Sequence, residues 1–247
     1  NPLTPWPNDP VTDAPGEIIY VRDEDSGELW SVTAAPIRVK GAHYTIIHGK
    51  GWSRFTHSAH EIGVDVLQYV PPSDRIKLSR LRLHNHSDRT RRLAVTGYVH
   101  WALAPNGNNA APYVVTGRDE TTGALFARNS WRAEFGERVA FIDMGGAQSS
   151  DCGDRGTFLG PYGCIEEPHA LSRVSLSGRL GAGLDPCGAL QTHVTLAPGQ
   201  QLELLFVLGD AASRPDAHAL IRKYRDADLD AVLAQVVAQW DKVLDTV

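Results

Sequence analysis

Ten histidines stand in the sequence, and only two close pairs occur among them, His57 with His60 and His84 with His86. Two imidazoles two residues apart at a strand end can reach the same side, a pairing that suits zinc or copper. No third ligand of fixed spacing lies near them, and Asn85-His86-Ser87-Asp88 is turn material. No metal and no cofactor are therefore expected. Acid–base chemistry on a glycosidic bond takes two carboxylates facing one bond, or one acid with phosphate as the nucleophile. Asp65, Glu120, Asp143, Glu166, Glu167 and Asp185 are available, yet nothing in the sequence pairs them, and a solvated or turn role is simpler for each. The glycines of residues 178–183 lack the strand and helix that would make a phosphate-binding loop of them.

A softer signal is the grouping of tryptophan with planar polar residues. Sugars present C–H faces that stack on aromatic rings and hydroxyls that seek amides, carboxylates and guanidinium groups. Trp6 with Asn8 and Asp9, Trp52 with Arg54, and Trp101 with Asn106, Asn108 and Asn109 are such neighbourhoods. Trp101 falls on the apolar face of a strand and belongs to the core. Loops at 49–55, 106–109 and 155–162 offer the better surface, which makes Trp52, Arg54, Asn106, Asn108, Asn109, Arg155 and Tyr162 the candidate carbohydrate contacts. No residue is assigned a catalytic role.

The elements that must carry these groups are mostly strands. Residues 16–22 and 29–33 flank a polar turn and form a hairpin. Residues 44–48, 52–57 and 62–70 are extended, and the apolar positions Ile76 and Leu78 change phase at Leu81 and Leu83, which predicts a bulge near Ser79-Arg80. Residues 91–103 form the longest clean strand, with Leu93, Val95 and Val99 on one face and Thr96, Tyr98 and His100 on the other. Further strands are expected at 113–116, 124–129 and 138–143. Residues 145–188 are so rich in glycine that regular structure is not expected there. Two alternating apolar runs then surround the turn Pro198-Gly199. Ser213 caps a helix, and the spacing of Leu229, Val232, Leu233, Val236, Val237, Trp240, Val243 and Leu244 predicts a second.

At 247 residues, with 42% hydrophobic and 21% charged residues and a net charge of -5, the chain can bury a large core and shows no bias toward nucleic acid. No apolar run approaches the roughly 20 residues of a membrane span. The three cysteines are odd in number and lack metal-binding spacing, so a reducing compartment is expected. The chain starts without Met and ends inside a helical pattern, which reads as a piece cut from a longer protein.

Several stretches in one order resemble the N-terminal domain of glycoside hydrolase family 94, the cellobiose and chitobiose phosphorylases and the matching region of cyclic β-1,2-glucan synthases. They are LTPWPNDPV from Leu3, YVRDEDSGELWS from Tyr20, HGKGWSRFTH from His48, LHNHSDRTRRLAVTGYVHW from Leu83, FLG at Phe158, SGRLGAGLDPCGALQ from Ser177 and LAPGQQLELLFVLGDA from Leu196. The TPW-NDP and RDEDSG-LWS wording looks closest to the glucan synthase and β-1,2-oligoglucan phosphorylase branch, and the likeness spans nearly the whole chain. The resemblance implies a mainly β fold, a large antiparallel β-super-sandwich of the galactose-mutarotase-like type at residues 1–212. Two linker α-helices would follow at 213–247 and lead to an (α/α)₆ barrel absent from this chain.

In that family the general-acid aspartate and the phosphate pocket belong to the barrel. The expected role here is a non-catalytic carbohydrate-binding scaffold, inactive alone, for a parent that transfers glucosyl units to phosphate with inversion. Partners implied are a β-glucan oligosaccharide, the barrel and a second subunit in a homodimer. The implied location is the cytoplasm, or the cytoplasmic side of the inner membrane for a synthase. Two other readings stay open: a free-standing glucan-binding module, and an aldose-mutarotase-like enzyme that would need His100 to converge with a carboxylate.

Overall fold

The computed structural model describes residues 2–5, 11, 14–104, 110–131 and 136–246. Among these residues thirteen strands form two antiparallel sheets. The smaller sheet contains β1 (Glu17–Asp23), β2 (Leu29–Ser31), β7 (Arg91–His100), β11 (Ser150–Asp154) and β12 (Pro186–Leu196), in the order β11-β12-β7-β1-β2. The larger has the order β3-β4-β5-β6-β13-β10-β9-β8. Its members are β3 (Thr45–Gly49), β4 (Trp52–Ala59), β5 (Ile62–Tyr69), β6 (Ile76–Asn85), β8 (Val114–Arg118), β9 (Leu125–Asn129), β10 (Val139–Asp143) and β13 (Gln201–Ala211).

Alternation in the sequence decides which side chains meet between the sheets. Val21, Leu93 and Val95 of the smaller sheet pack against Ile62, Val64, Val66, Leu81 and Leu83 of the larger. A second cluster joins Val99 and Leu190 to Leu125, Ala127, Ile142 and Leu208. The runs on either side of Pro198-Gly199 part into opposite sheets: β12 pairs with β7 over ten residues, and β13 pairs with β6 over nine. One ion pair, Lys77 to Glu17 at 2.5 Å, crosses between β6 and β1.

Both outer faces are covered, so the sandwich has four layers. Over the smaller sheet, Ile18, Tyr20, Tyr98 and Ala189 meet Phe158, Leu159, Leu171 and Leu176. The glycine-rich tract is therefore not irregular throughout, since β11 and the short helix α1 (Arg155–Leu159) lie within it. Its ordering follows from Phe158, which stacks on Tyr98 at 4.8 Å, and from Ile165, whose carbonyl accepts the Tyr20 hydroxyl at 2.8 Å. Over the larger sheet lie α2 (Arg214–Arg225) and α3 (Leu229–Leu244). Ser213 caps α2 by accepting from the Asp216 amide, and Asp228 caps α3.

The bulge expected at Ser79-Arg80 does not form, because β6 keeps an unbroken register with both β5 and β13. Ile76 and Leu78 face the helices, whereas Leu81 and Leu83 face the sandwich. The change of phase marks a strand whose covered face changes along its length, since the helices cover one end of it.

Three of the four sheet edges are closed by the chain itself. Ser31 donates its amide to Ile37, Thr116 to Gly181, and the amides of Gly153 and Gly178 reach Arg179 and Asp151. The fourth edge, β3, is exposed at all five residues, including Ile46 and Ile47.

Candidate functional site

The structure keeps Trp52 and Arg54 on one face of β4 and places Arg155 elsewhere. Trp52, half-buried, turns its indole under Gly49 and packs with the helix layer. The hairpin tip between β3 and β4 rests on α3, where Gly51 abuts Trp240 and Lys50 pairs with Asp241. Arg54 faces the same side and makes two bonds to Asp65 on β5. Arg155 sits at the other face of the molecule, at the start of α1, and donates to Asp185 at 3.2 Å. Tyr162 is fully exposed in the following loop. Asn106, Asn108 and Asn109 lie outside the described residues, as do Trp6, Asn8 and Asp9. Trp101 is buried.

His100 does neighbour a carboxylate, Asp185, but Arg155 stands in the same group. Burial, followed by the charge of Arg155, holds the imidazole below its ordinary pKa. Nearby, burial pushes the Tyr98 hydroxyl up, against the opposing charge of Arg155 beside it. The rings of His84 and His86 lie 4.0 Å apart, and among the described residues no cluster of three or more His, Cys, Asp or Glu side chains is placed to hold a metal. Cys152, Cys164 and Cys187 are all free.

Every buried aspartate among the described residues is engaged by a cation or a hydroxyl. Asp23 receives Arg91, Asp119 receives His218, Asp143 receives Arg225, Asp151 receives Arg118, and Asp154 receives Thr157 and Arg179. A general acid needs a raised pKa. Burial alone would raise those of Asp23 and Asp119, but the Arg91 and His218 bonds outweigh it and hold both below the usual carboxylate range. Glu120, Glu166 and Glu167 are exposed.

At one end of the sandwich, polar groups do converge. A pocket of about 120 Å³ is lined by Asn129, Arg138, Asp210, Arg75 and Leu103. Arg138 donates Nε and Nη2 to Asp210 Oδ2, and the exposed guanidinium of Arg75 lies 4.0 Å away. Leu103 holds a left-handed backbone with φ of +47° and accepts from Asn129 Nδ2 at 3.0 Å. Such strain costs about 1–3 kcal/mol and collects where ligands bind. No periodicity marks this convergence, because Asn129 and Arg138 end and precede short strands and Asp210 lies some seventy residues on.

The profile of the family described as "Glycosyl hydrolase 94, supersandwich domain" matches residues 1–227. The cyclic beta-(1,2)-glucan synthase of Rhizobium meliloti is 35% identical over 96% of this chain, which spans 8% of that protein. The N,N'-diacetylchitobiose phosphorylase of Vibrio furnissii is 26% identical over 93% of the chain, which spans 29% of it. A bacterial glucoamylase complexed with acarbose has the same fold, with a TM-score of 0.63 at 9% identity over 93% of this chain and 32% of its own. Two sheets with two helices outside the larger one, and a sequence profile that runs from the first residue through α2, make this chain a member of the glycosyl hydrolase 94 supersandwich family.

Proposed function

We propose that this chain is a non-catalytic scaffold and glucan-contact domain in a longer enzyme that moves glucosyl units of β-glucans, a phosphorylase or a cyclic β-1,2-glucan synthase. The observation that carries the reading is the engagement of every buried aspartate among the described residues, which makes each of them a tie in the fold and not a proton donor. An (α/α)₆ barrel would supply the general acid and the phosphate pocket. The apolar groove between α3 and the turn after β5, with Val70, Pro71, Pro72, Trp240 and Val243, is the surface it would cover. Trp240 and Val243 are 46% and 45% exposed there, and covering such side chains is worth about 25 cal/mol per Å². In a dimeric parent the domain would also contribute subunit contacts. We place it in the cytoplasm or on the cytoplasmic side of the inner membrane; among the described residues no helix is long and apolar enough to cross a membrane.

The test is to incubate the purified chain with β-1,2-glucan and inorganic phosphate and to measure glucose 1-phosphate. None is expected, and sustained release would end the non-catalytic reading. Adding the barrel portion of a family 94 phosphorylase as a separate polypeptide should give a complex that Trp240→Glu weakens.

A further inference from the structure

Trp131 is the most exposed tryptophan among the described residues, at 64%, and it is not alone on the surface. Tyr113, 39% exposed, meets it with ring centroids 4.2 Å apart and planes inclined by 36°. Tyr113 directly precedes β8, whose Val114 pairs with Asn129 at the end of β9. Asn129 joins the aromatic pair to the polar pocket: its Oδ1 accepts from the Trp131 amide at 3.0 Å, and its side chain lines the pocket. A broad apolar plate thus stands beside a small recess that holds a carboxylate and two guanidinium groups.

The two halves match the two halves of one ligand. An aromatic plate in water binds a flat apolar surface, and the C–H face of a pyranose is such a surface. The recess supplies planar hydrogen-bonding groups at fixed positions. Both Arg138 bonds fall on Oδ2 of Asp210, so Oδ1 is left to accept from a hydroxyl, and Arg75 is exposed enough to donate to one. A free anion fits less well, because Asp210 already neutralises Arg138 and the aromatic rings offer an anion nothing. The left-handed Leu103 fixes the wall of the recess and holds Asn129 in place through its carbonyl.

We infer that Trp131 and Tyr113, with Asp210, Arg75 and Asn129, form a binding site for one pyranose unit of a neutral gluco-oligosaccharide. The inference rests on the carbohydrate reading above and adds to it a place, at the end of the sandwich and next to the groove beside α3, with which it shares Arg75. The site has the composition of a holding point for a long chain, not of a reaction centre, since its carboxylate is tied to Arg138.

The test is calorimetric and fluorescence titration of the 247-residue chain with linear β-1,2-gluco-oligosaccharides, with cellodextrins, laminari-oligosaccharides and inorganic phosphate alongside. Millimolar or tighter binding of an oligosaccharide with a change in tryptophan emission is expected. Trp131→Ala should weaken it at least tenfold and abolish the emission change, Asp210→Asn should weaken it severalfold, and Trp131→Phe should keep most of it. Trp131→Ala should leave the melting temperature unchanged, because the ring is exposed. Oligosaccharide binding that survives Trp131→Ala within twofold would place the sugar elsewhere and overturn the site while leaving the broader glucan-contact reading intact. No oligosaccharide binding by the unaltered chain, or displacement of the sugar by phosphate at this surface, would also overturn it. The scaffold role would then be judged by complex formation with the barrel alone.

Discussion

Nε2 of His218 lies 2.9 Å from Oδ1 of Asp119, joining the middle of α2 to the turn between β8 and β9. Asp119 is 1% exposed, and its other oxygen takes both the amide and the hydroxyl of Thr122. A helix laid on a sheet by apolar contact alone can slide. This bond, with Arg225 to Asp143 at the far end of the helix, fixes its register.

Asp119→Asn should cost about 1–3 kcal/mol in urea unfolding, since the buried group loses its charge-assisted bond to His218. The pKa of Asp119 is held below that of the unfolded chain, because the bonds from His218 and Thr122 outweigh burial. Its contribution is therefore present above the unfolded value and lost as pH falls through the folded one, below about pH 4. The variant should lack that acid-side loss.

Arg91 and Asp23 are 2% and 0% exposed in their side chains, and Arg91 gives Asp23 both Nε and Nη2. Removing the cation alone strands a buried carboxylate. Arg91→Met should cost about 3–5 kcal/mol, and the double variant Arg91→Met with Asp23→Asn should recover part of it. Chemical denaturation of the three variants would show whether the recovery occurs.

His57 acts in the same sense as Asp119 but at milder acidity. It is buried, stacks on Tyr44 at 4.5 Å, and has no hydrogen-bond partner on either ring nitrogen. Burial lowers its pKa to about 4. Between pH 6.5 and 4 the unfolded chain binds a proton that the folded chain refuses, so stability should fall over that interval, by up to about 3 kcal/mol. His57→Phe should flatten the dependence of melting temperature on pH in this window.

Gly51 has φ of +77°, and a β-carbon there would lie 2.2 Å from Trp240 Cδ1. Gly51→Ala should push the end of α3 off the β3–β4 hairpin at a cost of about 1–3 kcal/mol. Hydrogen exchange should show faster exchange confined to α3 and the hairpin tip, with α2 unaffected.

The strands were legible where one face is buried along their whole length. Leu93, Val95 and Val99 of β7 alternate cleanly, and Ser213 announced α2 through its cap. On β6 the same reading failed, because its cover changes from the sandwich partner to helices more than a hundred residues later, and a period of two carries no information about that. The motif words of the family likeness prove structural in part: Asp23 in RDEDSG and Arg91 in RTRRLAV form the buried pair. Trp52 and Arg54 share one face of β4, as their spacing implies; that Trp52 packs with the helix layer while Arg54 stays exposed is set by the packing of the helices. Trp131 carries no signal in the sequence because its polar surroundings, Asn129-Ser130-Trp131-Arg132, show no pattern. What marks it is its exposure and its partner Tyr113, and neither exists before the chain folds.

The last two strands occupy the interior of both sheets, β12 between β11 and β7 and β13 between β6 and β10. During synthesis the earlier strands can form only separate ribbons, with the edges of β7, β6 and β10 awaiting neighbours. At roughly 5–20 residues per second a ribosome needs on the order of ten seconds or more to pass from β1 to Ala211, the end of β13. Until then the nascent chain carries open, apolar edges that chaperones must shield, and any truncation before that point leaves two half-sheets in place of a domain.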